Sequence, residues 1–93
     1  MKVSFTSEFM VMLNEQVDYI ARDKPKAARN FKTDLLKKLK SDLVKPFHFR
    51  KSVYFNSEKI RDYVFKGYVS VYEVDEDKDM VFVFGFIKHK DSL

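Results

Sequence analysis

Arg50, Lys51, Tyr54, Lys59, Arg61, Lys66, Tyr72, His89 and Lys90 gather basic and aromatic side chains in the second half of this 93-residue chain. Guanidinium, ammonium, imidazole and phenol groups are what RNA cleavage without a metal requires. An attacking 2′-hydroxyl must lose a proton, the leaving oxygen must gain one, and cations must neutralise the charge growing on phosphorus. Arginine forks hold phosphate oxygens bidentately. An aromatic face can stack a base, and imidazole titrates in the range that suits proton transfer. Three of them also have a plain structural alternative. Arg61 could pair with Glu58 or Glu73, Tyr72 could be a core aromatic, and His89 could end a strand without a task.

Other chemistries are not written in this sequence. It has no cysteine, so thiolate metal sites, disulfides and cysteine nucleophiles are excluded. It contains no P-loop, no GxGxxG and no HExxH. His48 and His89 stand at no metal-ligand spacing, and the acidic run Asp75–Asp79 lacks the glycine and distal glutamate of a calcium loop. No metal and no cofactor are expected.

The elements that must position these groups follow from periodicity. Lys2–Phe5 alternates as a short strand. Ser7 suits a helix N-cap, and Met10, Leu13, Val17 and Ile20 then recur at helical spacing, which predicts a helix over Ser7–Arg22. Asp23-Lys-Pro ends it, because the residue before proline avoids helical backbone, and Pro25 fits the first turn of a second helix. Ala28, Phe31, Leu35, Leu36, Leu39 and Leu43 form one stripe of that helix, predicted over Pro25–Leu43. So short a link makes the two helices an antiparallel hairpin.

Pro46 closes the helical half. The segment Phe47–Ser57 interleaves aromatics with His48, Arg50 and Lys51 and reads as loop, short strand or both. Ile60–Phe65 is mixed, and Lys66-Gly67 marks a turn or bulge. Tyr68–Val74 and Met80–Ile87 are strands, the second buried on both faces. The order β-α-α-β-β-β is α+β: a helical hairpin packed on a small antiparallel sheet, in one domain over residues 1–93.

Charge is unevenly spread over a net of +4. Residues 24–45 hold eight bases against Asp34 and Asp42, whereas residues 1–23 and 73–93 are net acidic. This pattern fits a phosphate-bearing or acidic partner, although lysine-rich helices are also ordinary solvated faces. No apolar run reaches the ~18 residues that span a bilayer. The start MKVSFTSEF carries no signal-peptide pattern, so the cytoplasm is the expected compartment and no membrane partner is expected.

Three segments stand out: Tyr19-Ile-Ala-Arg-Asp-Lys-Pro-Lys-Ala-Ala (19–28), Ile60-Arg61 with Gly67-Tyr68-Val-Ser-Val-Tyr72-Glu-Val-Asp75, and Val83 to Asp91 ending Ile-Lys-His-Lys-Asp. In this order they resemble the RelE/ParE superfamily, the toxins of bacterial type II toxin–antitoxin pairs. The resemblance spans nearly the whole chain. It implies the fold derived above, growth inhibition, and a cognate antitoxin as partner. The interleaved aromatics of 47–55, with a groove beside the helices, are candidates for holding the antitoxin's extended segment.

The superfamily offers two activities. RelE-like members cleave mRNA in the ribosomal A site; ParE-like members bind and inhibit DNA gyrase. On the first reading the resemblance assigns Arg61 to transition-state phosphate stabilisation, with Lys51 and Arg50 in support. His89 becomes the general acid or base, Tyr72 stacks on a base, and Lys66 and Lys90 hold substrate. Two departures count against it: Val69 stands where nucleases often carry arginine, and the chain ends Lys-Asp-Ser-Leu without a terminal aromatic. The Pro25-Lys-Ala-Ala turn is the most ParE-like feature. The expectation leans to ribosome-dependent cleavage, with gyrase inhibition as the alternative.

Overall fold

In the computed structural model, which describes residues 1–88, two helices lie on one face of a four-stranded sheet. The elements are β1 (Lys2–Phe5), α1 (Ser7–Ala21), α2 (Pro25–Asp42), a 3₁₀ turn (Pro46–His48), β2 (Ile60–Phe65), β3 (Tyr68–Asp75) and β4 (Met80–Lys88). The α+β class and the β-α-α-β-β-β order are those expected. Pro46, expected only to close the helical half, also opens the 3₁₀ turn.

The start of α1 differs by one residue from its prediction. Thr6 is extended (ψ 160°) and its Oγ1 accepts from the Phe9 amide at 3.1 Å, so Thr6 is the cap and Ser7 the first helical residue. The helix closes with the Lys24 amide on the Ile20 carbonyl at 2.9 Å, and Pro25 begins α2 at once. Asn14 and Lys32 lie equally far from the link and meet at 2.7 Å, which makes the helices antiparallel.

The sheet order is β1-β4-β3-β2. Strands β2, β3 and β4 run antiparallel, but β1 pairs parallel to β4, from Lys2 opposite Met80 to Phe5 opposite Val83. The sheet is therefore mixed, where an antiparallel one was expected. Four alternating residues announce a strand; they carry no information about the neighbour it finds. Lys66 (φ 50°) and Gly67 (φ 82°) both take positive φ, as a two-residue hairpin turn of matching twist requires.

Phe9 and Leu13 of α1 and Phe31, Leu35 and Leu39 of α2 pack on Tyr63, Tyr72, Val74, Val81, Val83 and Phe86. Aromatic contacts run through this layer. Phe9 meets Phe5 at 5.6 Å and Phe86 at 5.8 Å, and Phe31 meets Tyr68 at 5.0 Å and Phe65 at 6.0 Å. A register shift opposite Val71 and Tyr72 leaves Phe84 unpaired on β4. Gly85 then comes so near Val71 that a Cβ would stand 3.3 Å from the valine Cβ.

Candidate functional site

The segment between the 3₁₀ turn and β2 folds back along the β2 edge. Ser52 donates its amide to the Ile60 carbonyl at 2.8 Å, Asp62 donates to the Arg50 carbonyl at 3.1 Å, and Lys51 bridges Arg61. Of loop, short strand or both, the structure gives a loop held by this one isolated bridge. It brings Arg50, Lys51 and Arg61 to one edge of the sheet.

Arg61 is the centre of this edge. Its Nε donates to the Glu58 carbonyl at 2.9 Å and its Nη1 to the Phe49 carbonyl at 3.0 Å. Nη2 stands 3.7 Å from the Glu58 carboxylate, and the guanidinium lies 4.9 Å from the centre of the Phe47 ring. Only 16% of the side chain is exposed. The fork that would grip a phosphate grips the loop. Of the two acidic partners open to Arg61 in the sequence, the structure selects Glu58.

The neighbouring bases are also engaged. Lys51 pairs with Glu58 at 3.2 Å. Arg50 pairs at 3.2 Å with Asp62, whose carboxylate is wholly buried and also accepts from the Val53 amide at 3.0 Å. Its other oxygen, Oδ1, has no partner among the described residues.

Tyr72 is fully buried and presents no face on which a base could stack. Its hydroxyl donates to the Pro46 carbonyl at 2.5 Å, tying the 3₁₀ turn to β3. Burial pushes its phenol pKa well above the ordinary value; the Arg61 charge opposes this and the Asp62 charge adds to it. Tyr72 is the core aromatic of the two readings open in the sequence.

Lys66 sits at the other end of β2, about 17 Å along the strand from Arg61, with its ammonium 5.3 Å from the Phe65 ring centre. Lys88 is level with Tyr68 at that same end, whereas Arg61 is level with Tyr72. His89 and Lys90 lie outside the described residues. Of the expected set, then, Arg50, Lys51 and Arg61 are brought together, Tyr72 lies beneath them, and Lys66 stands apart. No group of acidic and histidine side chains among the described residues could hold a metal ion.

Two residues that matter were missed in the sequence. Asp62 anchors the loop, and its signal was an aspartate inside a strand, where that residue type is depleted. Asp42 accepts from the Tyr63 hydroxyl at 2.5 Å, joining the end of α2 to β2; nothing in the local pattern marks it. The aromatics divide as well. Phe49 packs on Tyr63 at 5.1 Å, while Phe47, Val53, Tyr54 and Phe55 remain exposed.

Against this geometry, residues 3–93 match the model of the family described as ParE toxin of type II toxin-antitoxin system, parDE. The chain belongs to this ParE toxin family. No curated protein matches it. Membership gives this ParE-family protein an antitoxin partner and makes it a toxin of a type II pair. No helix among its described residues is long and apolar enough to cross a membrane.

Proposed function

We propose that this ParE-family toxin arrests growth by binding DNA gyrase in the cytoplasm, and that it does not cut mRNA on the ribosome. The observation that carries this reading is Arg61. Nε and Nη1 donate to two carbonyls, Nη2 faces Glu58 and only 16% of the side chain is exposed, so a phosphorane would have to compete with the loop for this guanidinium. Lys51 and Arg50 are paired in turn, and Tyr72 is sealed in the core.

A binder needs an exposed anchor, and α1 supplies one. Tyr19 is 62% exposed with the Arg22 guanidinium 5.8 Å from its ring centre, and Val11 is 56% exposed two turns earlier. Tyrosine and arginine are the residues that most often dominate interface energetics. The antitoxin is assigned to the other apolar surface, around Val53, Tyr54 and Phe55.

The test is induced expression followed by two assays. Loss of supercoiling by purified gyrase, with mRNA 5′ ends unchanged on ribosomes, is the expected result. New A-site cuts with normal supercoiling would replace this reading with RNA cleavage.

A further inference from the structure

The solvent face of α2 carries charge that no ion pair among the described residues uses. Lys26, Arg29, Lys37 and Lys40 fall within about 80° of the helix circumference and along about 21 Å of its axis. All four are exposed, and none forms a salt bridge among the described residues. Lys40 leans over Phe5 at 6.0 Å, near the limit of a cation–π contact. The acids of the helix lie off this ridge: Asp42 is turned to the Tyr63 hydroxyl, and Asp34 projects about 60° beyond Lys37. The positive end of the helix dipole adds to the field near Lys26.

We propose that this ridge binds the phosphate backbone of duplex DNA. The cations form two pairs, Lys26 with Arg29 and Lys37 with Lys40, whose centres are about 16 Å apart along the axis. Lysine and arginine side chains are long enough to draw in from that spacing to the phosphate rows that border a B-form major groove about 12 Å wide. An A-form RNA duplex narrows that groove, so DNA fits better. An acidic protein fits less well. Asn30 and Thr33 lie between the pairs, so the ridge has no apolar anchor of the kind that protein interfaces depend on. Backbone recognition of nucleic acid needs only charge and donors.

The experiment is fluorescence anisotropy with the full-length toxin and a short DNA duplex, titrated at several salt concentrations. It does not depend on the gyrase reading, because gyrase is absent. Four phosphate contacts predict that affinity falls about 150-fold between about 50 and 200 mM salt. The double variants Lys37→Gln/Lys40→Gln and Lys26→Gln/Arg29→Gln should each halve the logarithmic salt slope, and both should retain the wild-type circular dichroism. Lys2→Gln on β1 should change neither property. Absence of binding at low salt, or slopes unaltered in both double variants, overturns the proposal. Equal or tighter binding of an RNA duplex overturns it, as does tighter capture of polyglutamate.

Discussion

Asp62 and Arg50 meet at 3.2 Å across twelve residues, one carboxylate wholly buried and one guanidinium half in water. This pair, with the Val53 amide on the same oxygen, fixes how the loop after the 3₁₀ turn lies along β2.

Removing either partner should loosen that loop. Asp62→Ala strips the Val53 amide of its acceptor, and Arg50→Ala leaves a buried carboxylate short of a partner. Because the Arg50 guanidinium is already half in water, each should cost about 2 kcal/mol, below the range for a fully buried pair. Urea unfolding at neutral pH measures both. A midpoint unchanged in Arg50→Ala would mean that the Val53 amide alone satisfies Asp62.

Thr6→Ala and Ser7→Ala separate the cap from its neighbour. The Thr6 hydroxyl holds the Phe9 amide, so its loss should cost about 1 kcal/mol. Ser7→Ala, at the first helical position, should be neutral or slightly stabilising. Equal losses in thermal unfolding would move the cap to Ser7.

Stability should fall in alkali. Burial raises both Tyr63 and Tyr72 above the ordinary phenol value of about 10, and the Asp42 hydrogen bond and charge add to the shift at Tyr63. Above that pH the unfolded chain loses both phenolic protons while the folded chain keeps them. The folded state then binds more protons, so its stability is intact below pH about 10 and declines as pH rises, by at most about 2.7 kcal/mol per unit for the two groups. Tyr72→Phe should halve that slope, and at neutral pH it should cost about 1–2 kcal/mol for the buried Pro46 carbonyl left unsatisfied. Denaturant melts at neutral and alkaline pH give both quantities.

Arg61→Ala tests the role of the loop against that of chemistry. It should lower stability by about 1–2 kcal/mol through two lost carbonyl contacts. Inhibition of gyrase should persist wherever the variant stays folded. Arg61→Lys should recover little of the loss, since one ammonium lacks the planar fork that reaches both carbonyls. Loss of toxicity in a folded Arg61→Ala protein, with gyrase inhibition intact in vitro, would restore a catalytic role for this residue.

Local pattern was enough for the helices and for β3 and β4. Leu35, Leu39 and Leu43 repeat at the helical period because one side of α2 is buried; Met80–Ile87, expected to be buried on both faces, buries Val81, Val83 and Phe86 against the helices and leaves Phe82 and Phe84 half-buried. The family resemblance could be read for a related reason: its short motifs keep their order along the chain. Partnership was not legible. The parallel seat of β1 beside β4, the capture of Arg61 by the Phe49 and Glu58 carbonyls, and the burial of Asp62 join segments that are mostly far apart in sequence. Periodicity records whether a residue is buried, not against what. The chemistry of an arginine depends on which acceptors reach it first, and that was decided only when the chain closed on itself.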